Sequence, residues 1–308
     1  MIRSRAYVPL KQNREESVEA GHELFDCVAT QEDILWYIAH QVPAHWHHEV
    51  EIFHLLSGRV RVCAGNQAYD LSGGEGCFIN TGVLHSYMAL TDAPCRFHSF
   101  VFDAGIVAGA AGSLFDVRYV RPLLSEGAPF VRFSPDDADY FAAFEAAFAA
   151  CAEEARGYEF IVRDQLSRIL LLVGSHESAA PDRSDLLQEE RMKTMLEWID
   201  AHLERDIRIE DLARVAHVCP RVCQRLFRRY LHCSPMEYCM QKRIKAAAWM
   251  LATTDKSITD IAVQYAFSSP SHFSRQFRLA TGYTPTSYKH CVLDSSNYRV
   301  INDETMSP

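Results

Sequence analysis

The sequence predicts a multidomain α+β chain, in which an N-terminal antiparallel β-barrel with flanking helices precedes a C-terminal all-α domain. Two observations predict this class. Short apolar segments separated by turn signals fill the first hundred residues, whereas helical periodicity runs from Ser134 to Lys289. A chain of 308 residues, with 48% hydrophobic and 23% charged residues, is also long enough for two buried cores.

The barrel is predicted over residues 1–133. From Ala6 onward the turn signals include Ser57-Gly58 and Ser72-Gly73-Gly74. Between the signals, four apolar segments are read as strands: Ile52–Leu56, Val60–Cys63, Cys77–Asn80 and Phe97–Phe102. Short strands at this spacing are typical of a small antiparallel barrel or jelly roll.

Two helices are predicted over residues 134–175. The first starts at Ser134-Pro135-Asp136-Asp137, and the second runs roughly from Glu159 to Val173. They could cover the barrel or pack against a second copy in a homodimer. Residues 176–185 are polar and aperiodic and are read as a linker, and residues 291–308 are read as a loose tail.

The last third contains a helix–turn–helix pattern. A helix over Glu210–Ala216 is followed by a tight turn, and Pro220 opens a second helix, where its missing N–H is not needed. The second helix carries one polar face made of Arg221, Gln224, Arg225 and Arg228. Arg can pair bidentately with guanine and Gln with adenine, so this face suits the major groove of double-stranded DNA.

The same pattern recurs 50 residues later. Ser257 is a candidate N-cap, and Pro270 opens a second polar helix. Its outward residues are predicted to be Ser271, His272, Ser274, Arg275 and Arg278. A single connecting helix over Met240–Leu251 would hold the two units so that they enter successive major grooves, roughly 34 Å apart.

The charge distribution favours the same partner. Residues 205–290 contain 14 Lys and Arg against 6 Asp and Glu, whereas the remainder contains 17 against 34. One region therefore suits a polyanion.

No apolar run is long enough to span a membrane, no secretory signal is recognisable, and the ten cysteines include no C-x-x-C pair. We therefore expect a cytoplasmic protein with free thiols.

Several motifs in this region resemble the AraC/XylS family of bacterial transcription regulators. They are R-I-K-A-A-A-W-M-L, I-T-D-I-A, Y-A-F, S-H-F-S-R-Q-F-R and G-Y-T-P-T-S-Y. The resemblance covers residues 186–290 and implies a seven-helix, double helix–turn–helix domain that binds promoter DNA, with RNA polymerase as a further partner. It implies base contacts from Arg221, Gln224 and Arg225, and from Pro270, Ser271, His272 and Arg275. The chain departs from the family pattern at Ala266, Cys219 and Cys223.

Histidines concentrate in the barrel. Seven of the 14 lie between His40 and His98, and the densest run is His45-Trp46-His47-His48-Glu49-Val50-Glu51. On one continuous strand, His45, His47, Glu49 and Glu51 would share a face. If that face lines the barrel, imidazoles and carboxylates converge.

This run resembles the first cupin motif, matched at His45, His47, Glu51 and Gly58. The second motif is matched at Gly74, Gly82 and His85, but Asn80 and Ala89 replace a proline and an asparagine. The resemblance implies a cupin barrel in which His45, His47, Glu51 and His85 would be the metal ligands. Such a set suits Zn, Mn, Fe or Ni.

Three interpretations of the cluster stay open. It could hold a metal, its imidazoles could merely satisfy one another, or it could bind a small polar effector with no cofactor required. A sugar or related metabolite is the effector class that the family resemblance implies. Its binding residues would be His45, His47, Glu49, Glu51 and His85, with Trp46, Phe53 and Tyr87 as stacking surface.

We predict a ligand-responsive regulator that is not an enzyme. The alternative from another class is a metal-dependent cupin enzyme with an appended DNA-binding module. A constitutive DNA-binding protein with an inert barrel is a third.

Overall fold

The computed structural model describes residues 2–3, 25–176 and 182–294. Its internal contacts divide the described chain into one unit up to residue 187 and a second from residue 188. Residues 177–181 of the predicted linker, and the N-terminal part of the predicted strand region before residue 25, lie outside the described residues.

The first unit contains two β-sheets. Six strands form one sheet in the order β1-β2-β9-β4-β7-β10, and four form the other in the order β3-β8-β5-β6. The strands are β1 Ile2–Arg3, β2 Cys27–Asp33, β3 Gln41–His45, β4 Val50–Leu55, β5 Arg59–Ala64, β6 Gln67–Ser72, β7 Gly76–Ile79, β8 His85–Ala89, β9 Arg96–Phe102 and β10 Phe130–Phe133.

Strand β4 shows why the larger sheet has two apolar faces. Successive side chains point to opposite faces of a strand. Ile52 therefore packs with the helices, whereas Phe53 and Leu55 belong to the core that also contains Val60 and Val62 of β5 in the smaller sheet. Glu51 shares its parity with Phe53, which places a carboxylate between the two sheets.

Helices cover the outer face of the six-stranded sheet. They are α1 Gly105–Ala108, a π-helical turn Asp116–Val120, α2 Arg121–Glu126, α3 Ala138–Glu153 and α4 Tyr158–Ser175. Before α3, the Asp137 carboxylate accepts a hydrogen bond from Ser134 N at 2.7 Å. Tyr140 of α3 is buried and its hydroxyl donates to the carbonyls of Phe53 and Cys77, both at 3.1 Å. Helix α3 thus covers the barrel, as one of the two sequence-based alternatives predicts.

Seven helices are described after α4, and all but the first five residues of α5 belong to the second unit. They are α5 Arg183–Ala201, α6 Ile209–Val215, α7 Pro220–Leu231, α8 Pro235–Thr253, α9 Ile258–Gln264, α10 Pro270–Thr281 and α11 Pro285–Asp294. None of the helices described in the chain has the length and apolarity needed to cross a membrane. The nine cysteines whose side chains are described are free thiols.

Two predicted boundaries are wrong. Helix α5 begins inside the predicted linker 176–185, because the Asp182 carboxylate accepts hydrogen bonds from the backbone N–H of Ser184 at 3.3 Å and from its hydroxyl at 3.1 Å. Helix α11 continues four residues into the predicted tail 291–308, since no Gly or Pro interrupts it before Asp294. Residues after 294 lie outside the described chain.

The two helix–turn–helix units have the same backbone conformation and the same hydrogen bond at their turns. His217 and Ala266 both adopt left-handed backbone with φ of 53°. The next residues donate back in the same way, Val218 N to Ala213 O and Phe267 N to Ala262 O, each at 2.9 Å. Helices α6 and α9, which precede the turns, start 49 residues apart, whereas α7 and α10, which follow them, start 50 residues apart. The second turn is therefore one residue longer than the first.

Helix α8 is anchored by a buried arginine. Arg243 is 9% exposed, and its Nε donates to Leu203 O at 3.1 Å while its guanidinium also donates to Arg205 O. Lys242 beside it pairs with Asp200 at 3.0 Å. The contacts connect α8, the helix between the two helix–turn–helix units, to the end of α5 and to the segment that follows α5.

Candidate functional sites

Four titratable side chains meet between the two sheets of the barrel. His45 ends β3 and His85 begins β8, where they are cross-strand partners in the smaller sheet. Glu51 lies on β4 of the larger sheet, and His47 lies in the bend between β3 and β4. One ligand atom from each lies within 4.8 Å of the others, and no member is more than 5% exposed. This four-residue set is called the barrel cluster below.

Glu49 does not join the barrel cluster. Strand β3 ends at His45 and the chain bends before β4, so alternation does not continue through Glu49. The bend is held by Gly82 N, which donates to His47 O at 2.8 Å, and by the Thr81 hydroxyl, which donates to His48 O at 2.6 Å. The Glu49 carboxylate instead lies 3.8 Å from His47 Nδ1, the ring nitrogen opposite to the one that faces Glu51.

Backbone carbonyls orient all three imidazoles of the cluster. The Nδ1 atoms lie 2.8 Å from Pro43 O for His45, 2.9 Å from Glu49 O for His47 and 2.8 Å from Val83 O for His85. A carbonyl only accepts, so each Nδ1 carries the proton. Nε2 is therefore the ring atom that meets the other members of the cluster, as a donor when the ring is protonated and through its lone pair when the ring is neutral. For His47 and His85 that atom lies 3.4 and 3.0 Å from Glu51 Oε2.

Tyr87 completes the surroundings of Glu51. Its hydroxyl donates to Glu51 Oε1 at 2.8 Å. Its ring stacks on the Phe53 ring, with the ring centroids 4.9 Å apart and an interplanar angle of 15°. The sequence predicts Tyr87 only as stacking surface, and its role as a hydrogen-bond donor comes from the structure. One carboxylate oxygen is thereby occupied by Tyr87, and the other faces the imidazoles. Trp46, proposed for the same stacking surface, is also buried.

Burial and charge act in opposite directions on the cluster. Burial alone would raise the pKa of Glu51, but hydrogen bonds from His47 and His85, with their charges, hold that pKa far below its usual range. Burial lowers the pKa of His45 well below its ordinary value, and the neighbouring His85 and His47 lower it further. The cluster therefore presents an ionised carboxylate beside a neutral imidazole.

Asn80 has a structural role where the cupin motif has proline. It is buried, and its Nδ2 donates to Leu123 O at 3.0 Å and to Ala128 O at 3.1 Å. Its Oδ1 accepts from Thr81 N at 2.8 Å. The end of β7 is thereby tied to α2 and to the segment that follows it, a contact that no local sequence signal indicates.

The first candidate DNA-reading helix, α7, has the two faces that the sequence predicts. Cys223, Leu226, Phe227 and Tyr230 are buried on one side. The other side exposes Arg221, Gln224, Arg225 and Arg228. Within the described residues, Arg221, Gln224 and Arg225 make no hydrogen bond or ion pair, so their donors are available to a partner.

The second candidate DNA-reading helix, α10, differs from the prediction at His272. Pro270, Ser271, Arg275 and Arg278 are exposed, as predicted. His272, predicted to face outward with them, is half-buried and lies between Ser268 Oγ, 3.1 Å from its Nδ1, and Gln276 Nε2, 3.4 Å from its Nε2. Both ring nitrogens of His272 therefore have intrachain partners.

Comparison with known families assigns both units. Residues 35–170 match the model described as an AraC-like ligand binding domain, and residues 212–290 match the model of a helix-turn-helix domain. The regulatory protein SoxS of Salmonella typhimurium is 36% identical over 99 residues, which are 32% of this chain and 92% of SoxS. The chain belongs to the AraC family of transcription regulators.

Two other similar proteins are a curated bacterial sequence and a solved structure. The uncharacterised HTH-type transcriptional regulator YdeC of Bacillus subtilis is 27% identical over 253 residues, covering 80% of this chain and 86% of YdeC. The crystal structure of the DNA-binding domain of AdpA in complex with a target DNA is similar over 32% of this chain and 87% of that one, at 28% identity and a TM-score of 0.31. The predicted family and fold class are confirmed: this AraC-family regulator joins a ligand-binding barrel domain to a DNA-binding helix–turn–helix domain.

Proposed function

We propose that this AraC-family regulator senses its effector at the barrel cluster and that His45, His47, Glu51 and His85 hold a divalent transition-metal ion there. The main support for the metal is the orientation of the three imidazoles. Each donates its Nδ1–H to a backbone carbonyl, which turns Nε2, the ring atom that a metal would take, toward the centre of the cluster. Ligating histidines in proteins are oriented by this kind of outer hydrogen bond.

The donor set fits such an ion chemically. Three imidazole nitrogens and one carboxylate suit Zn, Mn, Fe or Ni, and the ionised Glu51 supplies the negative charge that a dication needs. A bound ion would neutralise Glu51 and link the two sheets, since His45 and His85 belong to the smaller sheet and Glu51 to the larger. Tyr87, by holding Oε1, would orient Oε2 as the ligand atom.

A second candidate is a small polar metabolite, such as a sugar, that binds the same groups directly. The observation in its favour is the Tyr87 hydroxyl, which with Glu51 and the imidazoles offers both donors and acceptors. The near-complete burial of the cluster favours an ion over a sugar ring, because a ring would need the sheets to separate.

Metal analysis of the purified full-length protein separates these candidates. After removal of metal with chelator and separate reloading with Zn, Mn, Fe or Ni, we expect about one equivalent per chain. His47→Ala should lose it, whereas the exposed neighbour His48→Ala should retain it. A wild-type protein that holds no metal but is thermally stabilised by a sugar would replace the metal proposal with the sugar. Turnover of a substrate by the loaded protein would favour the cupin-enzyme alternative.

On the DNA side, we propose that α7 and α10 read tandem half-sites in promoter DNA in the bacterial cytoplasm. The exposed Arg and Gln side chains of α7 carry this proposal, since Arg recognises guanine and Gln adenine in the major groove. Operator binding, measured by fluorescence anisotropy, should weaken steeply as salt rises. A flat salt dependence would contradict it.

A homodimer is proposed through the first turns of α4. The side chains of Phe160 and Ile161 are 79% and 49% exposed there. Adjacent large apolar side chains exposed on one helix are typical of a surface that packs against another protein. Light scattering on the full-length protein should give twice the chain mass. Phe160→Arg should shift it toward the monomer, and an unchanged dimer would place the interface elsewhere.

A further inference from the structure

A second cavity lies in the first unit, away from the barrel cluster. It has a volume of about 710 Å³, within the range typical of small-molecule sites, and lies between the π-helical turn with α2 on one side and the second half of α4 on the other. The lining is mainly apolar, and its buried members are Val107, Val120, Leu123, Ala128, Leu170 and Val173.

Most polar groups of this cavity are satisfied within the chain. The hydroxyls of Ser167 and Ser175 donate to carbonyls of their own helix, both at 2.6 Å, and His176 Nδ1 lies 2.9 Å from Leu172 O. Such groups have little capacity left for a ligand. The lining therefore has few remaining hydrogen-bond donors and acceptors for a sugar-like molecule with many hydroxyls.

Arg118 is the basic side chain of this lining. It lies on the π-helical turn, is exposed, and has the Tyr119 ring 5.6 Å from its guanidinium carbon, but it makes no ion pair with the described residues. The neighbouring Arg121, in contrast, pairs with Asp116. Glu126 also lines the cavity, but it lies eight residues further along, roughly 12 Å at the rise of a helix. One end of an apolar cavity therefore carries an uncommitted cation.

We propose that this cavity binds a medium-sized apolar molecule with a single carboxylate, whose acid group pairs with Arg118. A guanidinium forms two parallel hydrogen bonds with a carboxylate, while the apolar body gains by leaving water for the valine and leucine floor. The proposal does not depend on a metal in the barrel, and it adds a second ligand class to the sensing domain.

The walls of the cavity adjoin parts of the chain through which binding can be transmitted. The carbonyls of Leu123 and Ala128, both lining residues, accept the hydrogen bonds of Asn80. The adjacent Thr81 holds the bend next to His47 through His48 O. The opposite wall is the last turn of α4, after which the chain continues toward the DNA-binding helices. An occupant would thus contact both the support of the barrel cluster and the end of the sensing domain.

The test uses the full-length protein with four probes: octanoate, 4-phenylbutyrate and the primary amide of each. Isothermal titration calorimetry should show that the acids bind about tenfold or more tightly than their amides, because the amide lacks the charge that pairs with Arg118. Arg118→Gln should reduce acid binding to the amide level. Arg168→Gln is the matched control, since Arg168 is exposed and pairs with Asp164 but does not line the cavity.

A second pair of variants tests the location. Leu171 lines the cavity and is 63% exposed, whereas Leu114 is 64% exposed and does not line it. Leu171→Glu should abolish acid binding and Leu114→Glu should leave it unchanged. Equal affinity for acids and amides, or no binding of any probe at millimolar concentration, would overturn the proposal. So would a Leu171→Glu protein that dissociates into monomers but binds the acids normally, since this face would then be an interface between copies.

Discussion

The two helix–turn–helix units share one backbone plan but differ in the chemistry they expose. In the first, Arg221, Gln224 and Arg225 have no partner among the described residues. In the second, His272 is held by Ser268 and Gln276, and Arg275 is the main exposed group able to pair with a base edge. The two units therefore show that a repeat can keep its hydrogen bonds and core while the unpartnered side chains suited to base edges are concentrated in one half.

The difference between the exposed faces of α7 and α10 goes with a difference between the turns that precede them. The second turn contains an additional residue, so that Ser269 precedes α10 and its hydroxyl accepts from His272 N at 3.1 Å. Cys219 occupies the same position before α7 and makes no side-chain cap. Ser269 caps α10 and its neighbour Ser268 contacts the His272 ring, whereas the residue before α7 makes no side-chain cap and the polar face of α7 stays exposed.

Loss of core volume should affect both units equally and most strongly. Phe227 and Phe277 are fully buried at equivalent positions. Phe227→Ala and Phe277→Ala should each lower the free energy of unfolding by about 3–5 kcal/mol, because each leaves a cavity. Urea denaturation monitored by circular dichroism measures this. A cost for one several times that for the other would show that the two cores are not equivalent.

Loss of a reading arginine should weaken specific binding of DNA next most strongly. Arg225→Ala and Arg275→Ala should each cost about 1–3 kcal/mol on the operator and relax one base position. Anisotropy titrations with operator and with random DNA measure the difference. Equal losses on both DNAs would make these arginines phosphate contacts. Footprints with equal base selectivity in both half-sites would contradict the inequality of the units.

Exchange of the caps should change stability by a smaller amount. Ser269→Ala should destabilise the protein by about 1 kcal/mol, because His272 N loses its acceptor. Cys219→Ser should stabilise α7 by up to about the same amount, since serine can accept where cysteine does not. Thermal unfolding of both variants gives the comparison. A neutral Ser269→Ala would mean that the cap does not hold the second turn.

The smallest effect is expected at His272. His272→Ala should change operator affinity by less than about 1 kcal/mol, since its ring nitrogens already have intrachain partners. Gln224→Ala in the first unit should cost more, about 1–3 kcal/mol, because a free amide can pair with adenine. A larger loss at His272 than at Gln224 would show that the ring leaves its partners on DNA.

Prediction from sequence was accurate where the signal is local. The recognition helices start at Pro220 and Pro270 as predicted, because proline at a first helical position and an apolar stripe are read within a few residues. It was inaccurate where the chain bends or a cap acts early. Glu49 leaves the predicted face because β3 ends at His45, and α5 starts early because Asp182 caps it.

The sequence alone determined the two-domain class, the AraC family and the four residues of the barrel cluster, because periodicity and motif spacing are local properties. The tertiary structure decided which ring nitrogens face Glu51, that Tyr87 holds the Glu51 carboxylate, and that a cavity lies beside α4. These features join groups far apart in the chain: 36 residues separate Tyr87 from Glu51, and 43 separate Asn80 from Leu123. Such contacts arise only when strands and helices pack. No local pattern specifies them.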